Sequence, residues 1–306
     1  MSLPKVSIVT ATYNSSHILK YAVSSVLNSE FEDWELIVVG DHCTDDTEAC
    51  LAEFGDERIR FYNLKVNSGQ QATPNNFGLD KARGEYLCYL NHDDMFLPSH
   101  LRTMLKAAQM SPDSIILARY ADLRPDDEKP VGDNLRFKNG GPSPAQPDYT
   151  PTHWYIASSW FMPMSLARKV GSWKLENSTF VTPSQDWLFR AWRGGHSIVA
   201  SMDVSVIAII TGGRKGFFKE KRVAEHQYVF EQFVLSQNRS EELRSKLDQF
   251  TAEKRKTAGF KRRALYDSII GKASIKLGIH PNTLEMIIRH GTRGGFVKHW
   301  KRRINL

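Results

Sequence analysis

Short apolar runs alternate with helical patterns through the first 120 residues of the chain. Five runs are rich in β-branched residues and nearly continuous in apolar side chains, as buried parallel strands usually are. These predicted strands are KVSIVTA (5–11), WELIVVGD (34–41), RIRFYNL (58–64), EYLCYLN (85–91) and SIILARYA (114–121). Between them, helical spacing with glycine or proline near the ends predicts helices over 17–29, 44–55, 71–84 and 98–110. The alternation predicts a doubly wound α/β sheet.

Polar side chains follow four of these elements at the points where predicted strands end. Asn14, Asp41, Asn67 and Asp93 each come just past a strand. In open α/β sheets, ligands bind beyond the carboxyl ends of the strands, where the loops converge. We therefore expect these four side chains to face one ligand crevice.

The fourth predicted strand runs into the sequence NHDD (91–94), which places two carboxylates side by side. Adjacent acids repel one another and are costly to desolvate unless a cation lies beside them, and hard oxygen ligands select Mg²⁺ or Mn²⁺. The alternative is that Asp94 or Ser99 caps the following helix and that Asp93 is solvated. No glycine-rich phosphate loop follows the first strand, which excludes an ordinary dinucleotide or nucleoside triphosphate cradle.

Composition narrows the class of protein. With 306 residues, 41% of them apolar and 25% charged, the chain can bury the core of an ordinary soluble enzyme. Residues 240–306 contain 16 Lys and Arg against 6 Asp and Glu, a charge of +10, so the preceding residues carry −3 of the net +7. The basic character therefore belongs to the C-terminal tail.

The cysteines and the apolar stretches of the chain bear on its location in the cell. The three cysteines have neither the number nor the spacing of a disulfide framework or a thiolate zinc site. No apolar stretch approaches the ~20 residues that cross a bilayer, and the first strand-like segment comes too early for a secretory signal. We expect a reducing, cytoplasmic setting, with peripheral attachment to the inner face of the membrane as a further option.

Two long segments carry a family resemblance. VSIVTATYNSSHILKYAVSSVLNSEFEDWELIVVGDHCTDDT (6–47) and NSGQQATPNNFGLDKARGEYLCYLNHDDMF (67–96) resemble the nucleotide-binding half of family 2 glycosyltransferases. The resemblance is strong over residues 4–100 and weaker to about 210. It implies an α/β GT-A fold, a Rossmann-like and mostly parallel sheet with helices on both faces, followed by a helical basic tail. The implied parts are a nucleotide-sugar half (1–120), an acceptor half (121–230) and a C-terminal extension (231–306).

The resemblance implies roles in nucleotide binding by position. The loop after the first strand would form the wall for the base, with Thr10, Ala11, Thr12 and Tyr13. Asp41 matches the acid that hydrogen-bonds the base, and Asn67, Gly69 and Asn76 match the segment that lies against the nucleotide. The alternatives are core packing for Tyr13 and a simple turn for Asn67 and Gly69.

The acidic motif departs from the family pattern at one position. Many relatives have an aspartate where this chain has Asn91, which would still hydrogen-bond ribose or phosphate but adds no charge. The implied metal ligands are then Asp93 first and Asp94 second, with His226 as a further candidate, and the implied cofactor is Mn²⁺ or Mg²⁺. His92 is interpreted as a loop residue.

The second half is expected to hold the acceptor and the general base. Asp186, in the pair Gln185-Asp186, matches the family carboxylate that takes the proton from an attacking acceptor hydroxyl. The alternative is that Ser184 or Asp186 stabilises the start of a helix, and both interpretations can hold together, since a helix that starts at the crevice serves either purpose. Trp187 and Trp160 are candidates for acceptor contact, against the commoner case of buried core tryptophans.

Two loops and the tail complete the predictions. Residues 124–150 are rich in proline, glycine and charge, which predicts an acceptor-side flap or linker. In residues 211–222, Arg214 and Lys215 are candidates to neutralise the diphosphate, unless the segment is a solvated basic loop. The basic tail suits an anionic membrane surface, or else packs on the domain or on a second subunit of a homo-oligomer. No nucleic-acid-binding module accompanies it.

Three functional classes follow. The first is a metal-dependent inverting glycosyltransferase that moves a single sugar from a nucleoside diphosphate sugar to a hydroxyl of a glycan or lipid-linked acceptor, in the synthesis of surface polysaccharide or glycolipid. The absence of a synthase-type Gln/Arg-x-x-Arg-Trp motif favours single-sugar transfer. The second class is a nucleotidyltransferase that makes sugar nucleotides. The third is a non-catalytic binding or scaffold protein.

Overall fold

One sheet with helices on both faces organises the described part of the protein. The computed structural model describes residues 3–126, 130–132, 135–142, 148–179, 181–210, 220–236, 241–245, 247–248, 269, 273–274 and 276–283. The strands are β1 (Val6–Thr12), β2 (Trp34–Gly40), β3 (Ile59–Asn63), β4 (Tyr86–Tyr89), β5 (Asp94–Phe96), β6 (Ile115–Pro125), β7 (Leu135–Gly140), β8 (Trp160–Pro163) and β9 (Ile198–Ile209). The helices are α1 (Ser16–Leu27), α2 (Thr47–Ala52), α3 (Ala72–Lys81), α4 (His100–Met110), α5 (Met164–Val170), α6 (Pro183–Arg193) and α7 (Ala224–Val229).

The sheet has two parts with different strand directions. In the described residues the order is β3-β2-β1-β4-β8-β6-β9-β5, and β7 pairs with β6 outside this path. The strands β3, β2, β1 and β4 are parallel, as the βαβ pattern predicts. Beyond β4 the sheet is mixed, because β8 runs antiparallel to both neighbours and β5 and β7 run antiparallel to β9 and β6. Only the pair β6 and β9 is parallel there.

The predicted elements match the first half closely. All five predicted strands form, as β1, β2, β3, β4 and β6, and all four predicted helices form as α1 to α4. The segment 124–150 was predicted to be a flap or linker, and this prediction is corrected. It contains strand β7, which pairs with β6 from Tyr120 to Pro125. A short connection permits an antiparallel hairpin, whereas a parallel return needs a long crossover.

The core lies on the two faces of the sheet. One cluster packs α1 and α4 against β1, β2 and β6, and a second packs α3, α5 and α6 against the other face. A third cluster joins β5 and β9 to α7 and to Phe233, Val234, Leu243 and Leu247. No helix in the described ranges has the length and apolar character needed to cross a membrane.

The start of the C-terminal segment packs on the sheet. Arg119, 3% exposed, forms an ion pair of 2.7 Å with Asp248. Arg244 donates hydrogen bonds to the carbonyl of Val204 (3.1 Å) and to the hydroxyl of Ser99 (2.8 Å). These bonds attach Arg244 and Asp248 to β6, to β9 and to the residue that precedes α4. Most of the basic tail that was considered for membrane binding lies outside the described residues.

A buried carboxylate holds the first three strands together. Glu35 on β2 is 2% exposed and accepts hydrogen bonds from Ser7 on β1 (2.6 Å), Arg60 on β3 (2.6 Å) and the backbone of Arg83 (2.7 Å). Burial on its own would raise the pKa of Glu35, but the hydrogen bonds from Ser7 and Arg83 and the charge of Arg60 outweigh burial and lower it. Glu35 therefore stabilises the fold in its ionised form.

Glu35→Gln is expected to reduce the free energy of unfolding by about 2–3 kcal/mol at pH 7, because charged hydrogen bonds are lost. The folded-state pKa lies below the ordinary value of 4.5, so the contribution of Glu35 is present above that value and disappears as the pH falls through the folded-state pKa. Urea denaturation at pH 7 and below pH 4 measures this difference. Glu85→Gln is the matched control, because Glu85 forms an exposed pair with Lys5. A gap between Glu35→Gln and the parent that did not narrow in acid would contradict this account.

Candidate functional site

A cavity of about 590 Å³ opens at the carboxyl ends of β1, β2 and β4. It is lined by Ala11, Thr12, Tyr13, Asp41, Asn67, Gly69, Gln70, Gln71, Pro74, Asn91, His92 and Asp93. Eight of these residues belong to the predicted site, which places the predicted crevice where parallel strands converge. Thr10, also predicted, is buried at 1% exposure in β1 and does not line the cavity.

Asp41 fixes the loop that forms one wall of the cavity. Its carboxylate, 4% exposed, accepts hydrogen bonds from the backbone of Ser68 (2.9 Å), the hydroxyl of Ser68 (2.9 Å) and the backbone of Gly69 (2.9 Å). Asn67 accepts a second bond from the Gly69 N–H at 2.6 Å, and Gly69 has a φ of +66°, which glycine adopts without strain. Asn67 and Gly69 thus form a turn and line the cavity as well. The contact predicted between Asp41 and a base stays a prediction.

Tyr13 presents its ring to the cavity from the loop after β1. The side chain is 49% exposed, which contradicts the alternative that it is a core residue. The loop is fixed by the next one along the sheet, because the side-chain oxygen of Asn14 accepts a hydrogen bond from the Thr44 N–H at 2.8 Å. A fixed loop with an exposed aromatic ring suits stacking on a flat ligand.

Asn76 was predicted to contact the nucleotide, but its side chain bonds to the backbone of Trp173. Its amide donates to the carbonyl of Trp173 (2.9 Å) and accepts from the N–H of Trp173 (2.7 Å), and the residue does not line the cavity. The amide thus donates to and accepts from the backbone of the same residue. Asn76 therefore joins α3 to the segment before α6, and the lining of the cavity gives no support to its predicted contact with a nucleotide.

The two adjacent carboxylates lie in different surroundings. Asp93 lines the cavity, whereas Asp94 is 4% exposed in β5 and accepts hydrogen bonds from Ser158 and from the amide of Asn91 (2.8 Å). Burial and, secondarily, the charge of Asp93 raise the pKa of Asp94 well above its ordinary value. The helix-capping alternative does not hold for Asp94, since Ser99 precedes α4 and makes no side-chain capping bond there.

The amide at position 91 follows from the burial of Asp94. Asn91 supplies an N–H donor to the Asp94 carboxylate at 2.8 Å. An aspartate at position 91 would replace this donor by a second negative charge facing a buried carboxylate, which is unfavourable in the absence of a cation. The departure from the family pattern is thus an adaptation to this neighbour.

The described residues offer few metal ligands. His226 lies near Asp93 but is buried, and burial lowers its pKa to about 4. Within the described ranges no group of three or more His, Cys, Asp and Glu side chains could hold a metal ion. Since Mg²⁺ is commonly held by one or two carboxylates together with substrate phosphates, Asp93 fits a cation that is shared with a phosphorylated ligand.

A second cavity of about 520 Å³ adjoins the first and shares Asn91 and Asp93 with it. Its other walls come from β6, β9, the end of β7 and the loop 153–156. Sequence reasoning missed this cavity. The available signal was the alternation of Tyr120, Asp122 and Arg124 along an otherwise apolar strand.

Asp186, the predicted general base, lies in the first turn of α6. Its carboxylate forms an i,i+4 ion pair with Arg190 (2.7 Å) and a longer one with Lys174 (3.6 Å), and it lines neither cavity. Thr182, not Ser184, is the N-cap residue, and its hydroxyl accepts from the Gln185 N–H. This placement supports the helix-stabilising interpretation of Asp186, and its role as a general base stays a prediction.

The acceptor contact predicted for two tryptophans is contradicted. Trp160 and Trp187 are both 0% exposed and stack on one another with ring centroids 5.5 Å apart. The indole N–H of Trp187 donates to the carbonyl of Gly171 at 2.7 Å. Both rings are core residues, because α6 packs on β8 through them. The predicted diphosphate contacts, Arg214 and Lys215, lie outside the described residues.

Comparison with known proteins decides the family. The model of "Glycosyl transferase family 2" matches residues 7–171, more than half of the chain and all of the first cavity. The chain belongs to glycosyl transferase family 2. The family resemblance of the two long segments is confirmed.

Curated relatives of this family 2 protein match its first part. A Campylobacter jejuni protein named GalNAc(5)-diNAcBac-PP-undecaprenol beta-1,3-glucosyltransferase is 35% identical over 109 residues, which is 35% of each chain. The poly(ribitol-phosphate) beta-N-acetylglucosaminyltransferase TarP of Staphylococcus aureus is 31% identical over 121 residues, 39% of this chain and 37% of TarP. The chain thus spans little more than a third of the length of these relatives.

Solved structures extend the likeness of the fold. Residues 1–349 of S. aureus TarS in complex with UDP-GlcNAc match with a TM-score of 0.56 at 18% identity, over 69% of this chain and 60% of that one. The GT-A fold expected from the resemblance is confirmed.

Asn91→Asp, which restores the pattern of many relatives, is expected to lower the free energy of unfolding by about 2 kcal/mol at pH 8, because Asp94 loses a donor and gains a like charge. The loss should be smaller at pH 5, where the two carboxyls can share a proton. Thermal denaturation without metal at both pH values measures it. Asn91→Ala is the matched control, since it removes the donor without adding charge, and equal losses in the two variants at pH 8 would contradict the role of repulsion.

Proposed function

We propose that this protein transfers a single sugar, with inversion, from a nucleoside diphosphate sugar to a hydroxyl acceptor. The observation that carries the proposal is the first cavity, which lies at the carboxyl ends of parallel strands within the segment that defines the family. Its walls are the Tyr13 loop and the loop held by Asp41, and Asp93 lies at its border with the second cavity. A long crevice with an aromatic wall and a terminal carboxylate suits a base, a ribose and a diphosphate in that order.

Uracil is the base that we propose for the donor nucleotide. The support is the likeness of fold to TarS in its complex with UDP-GlcNAc. The ring of Tyr13 would stack on the base, and remaining accepting capacity of Asp41 would meet a ring N–H, since each carboxylate oxygen has two lone pairs. Asn91 and the turn at Gly69 would lie beside the ribose and the phosphates.

We propose a divalent cation, Mn²⁺ or Mg²⁺, that is held by Asp93 together with the donor. Such a cation, when bound, neutralises charge on the diphosphate leaving group. Asp94, the next residue in the sequence, is buried and is held by Asn91 and Ser158. His226 lies near Asp93.

The reaction requires a base on the acceptor side. The acceptor hydroxyl attacks the anomeric carbon from the face opposite the nucleoside diphosphate, and its proton passes to a carboxylate. By the family resemblance, we propose Asp186 for this role; it lies in the first turn of α6, where its ion pair with Arg190 also stabilises the helix.

We propose a lipid-linked or glycan acceptor in cell-surface polysaccharide or glycolipid synthesis. The support is the name of the Campylobacter jejuni relative, which specifies an undecaprenol-linked substrate, and that of TarP, which specifies poly(ribitol-phosphate). Peripheral attachment through the basic tail would bring the active site to such an acceptor, and this attachment is part of the same proposal.

UDP with Mn²⁺ is expected to raise the melting temperature more than UDP or Mn²⁺ alone, because ligands that bind only the native state stabilise it by mass action, by about 2.7 kcal/mol at 100 times Kd. GDP, dTDP and CMP are tested in parallel. Asp93→Ala should remove the metal-dependent part of the shift, and Tyr13→Ala should reduce the shift with and without metal. The matched control is Asp203→Ala, because Asp203 lines a different cavity at the other end of the sheet. Absence of any shift with all four nucleotides would contradict the proposed donor and favour the scaffold interpretation.

A further inference from the structure

The two oxygens of the Asp186 carboxylate have different surroundings. Oδ2 accepts a hydrogen bond from Nε of Arg190 at 2.7 Å. Oδ1 faces the ammonium of Lys174 at 3.6 Å, which is too long for a hydrogen bond. In the described part of the chain no other group hydrogen-bonds to this carboxylate. One oxygen is therefore fixed, and the other is open to a further partner.

Arg190 forms hydrogen bonds through all three nitrogens of its guanidinium. Besides the bond from Nε, Nη1 donates to the carbonyl of Val170 at 2.9 Å, and Nη2 donates to the carbonyl of Ser172 at 2.7 Å. Val170 is the last residue of α5. Because the guanidinium is planar and its donors have a fixed geometry, these two carbonyls determine where Nε points. Arg190 therefore holds Oδ2 of Asp186 in one position.

These contacts go beyond an intrahelical ion pair. An i,i+4 pair needs only two side chains and contributes little to the stability of a helix. Here the guanidinium also joins α6 to the end of α5. The carbonyl of Gly171, which lies between the two carbonyls bonded to Arg190, accepts from the indole N–H of Trp187 at 2.7 Å. Three consecutive carbonyls thus bind side chains of α6, and they fix the start of that helix against α5.

The segment between α5 and α6 connects Asp186 to the nucleotide cavity. Lys174, which faces Oδ1, belongs to this segment. Two residues further on, the N–H of Glu176 donates to Oε1 of Gln70 at 2.7 Å, and Gln70 lines the first cavity. Oδ1 therefore lies beside a segment that is bonded to the wall of the proposed donor site. Because Arg190 covers Oδ2, an acceptor hydroxyl that reaches Asp186 has Oδ1 as its available partner.

We propose that Arg190 is a positioning residue for the general base, because it holds Oδ2 of Asp186 and so directs Oδ1 to the acceptor hydroxyl. This inference rests on the proposed function and on the assignment of Asp186 to the base. In the step, the acceptor oxygen forms a bond to the anomeric carbon, and the bond from that carbon to the diphosphate oxygen breaks. The electron pair of the broken bond leaves with the nucleoside diphosphate, and the hydroxyl proton passes to Oδ1.

The charged and titratable groups that face Asp186 in the described residues come from three elements. Arg190, on the same helix, is bonded directly, and its side chain is 23% exposed. Lys174 lies at 3.6 Å on a side chain that is 50% exposed, so water screens its charge. His280, in the C-terminal segment, is buried, and burial lowers its pKa to about 4 although Asp186 acts to raise it. His280 is thus neutral at pH 7, and Arg190 is the main positive charge that acts on the base.

The transfer experiment measures the release of UDP from UDP-glucose and UDP-N-acetylglucosamine by the full chain with Mn²⁺, between pH 4.5 and pH 8.5. The acceptors are octyl glycosides of glucose, galactose, N-acetylglucosamine and N-acetylgalactosamine. Arg190→Gln is expected to lower kcat at pH 7 by roughly tenfold or more and to move the acidic limb of the kcat profile up by about one pH unit, because the carboxylate loses its charged partner. The KM for the UDP-sugar should not change, since Arg190 lines neither cavity.

Arg193→Gln is the matched control. It removes a positive charge from the same helix, but Arg193 bonds to the carbonyl of Gly278 at 3.3 Å and not to Asp186. This variant should retain the parent kcat and the parent pH profile.

Two further variants separate charge from geometry. Arg190→Lys keeps the charge but cannot bond to the carboxylate and to both carbonyls at once, so it should lower kcat and leave the acidic limb in place. If Arg190→Gln does not fold, this variant carries the test. Lys174→Met should move the limb less than Arg190→Gln and retain most of kcat, because its charge is screened. The thermal shift with UDP and Mn²⁺ should be the same in these variants as in the parent.

A merely structural role of Arg190 predicts a lower melting temperature with the parent kcat and the parent pH profile in both variants of this residue. That result would overturn the inference while the proposed transfer stands. Parent kcat in Asp186→Asn would overturn it as well, because Asp186 would then not be the base. No UDP shift and no UDP release in the parent would instead defeat the proposed function itself, and the inference with it.

Discussion

The architecture of the site depends on the burial of one carboxylate. Asp94 lies 4% exposed in a three-residue strand, and its two donors, Asn91 and Ser158, come from the loop before it and from the short helical turn that precedes β8. A buried carboxylate without partners is strongly destabilising. The hydrogen bonds that prevent this also set the turn between β4 and β5, and that turn places Asp93 on the boundary of both cavities. The identity of residue 91 and the position of Asp93 thus have the same physical origin.

Much of the first half could be predicted because its signals are local. Buried parallel strands are apolar along their whole length, and side chains that follow them must converge at one edge. Asp41, Asn67 and Asp93 were found in this way, whereas Asn14, found by the same rule, bonds to the Thr44 N–H and is not among the residues that line the cavity. The three-residue strand β5 and the polar strand β7 were missed, since neither is long enough or regular enough to show a period.

The errors in the site have a different cause, because the partner of each residue lies far away in the sequence. Asn76 was assigned to a nucleotide, but the backbone of Trp173 uses its amide. Trp160 and Trp187 were assigned to an acceptor, but they stack in the core. Asp186 differs from these residues, since the i,i+4 spacing to Arg190 predicts an intrahelical pair, while its role as a general base stays a prediction.

The ion pair between Arg119 and Asp248 has a consequence for folding during synthesis. Arg119 belongs to a central strand of the sheet, but its carboxylate partner follows 129 positions later in the chain. During synthesis the sheet can assemble before Asp248 is available. Arg119 then donates hydrogen bonds to the side-chain oxygen of Asn139 and to the carbonyl of Met202. The contact between Arg119 and Asp248 can therefore form only after residue 248 has left the ribosome, although the strands themselves are complete by residue 209.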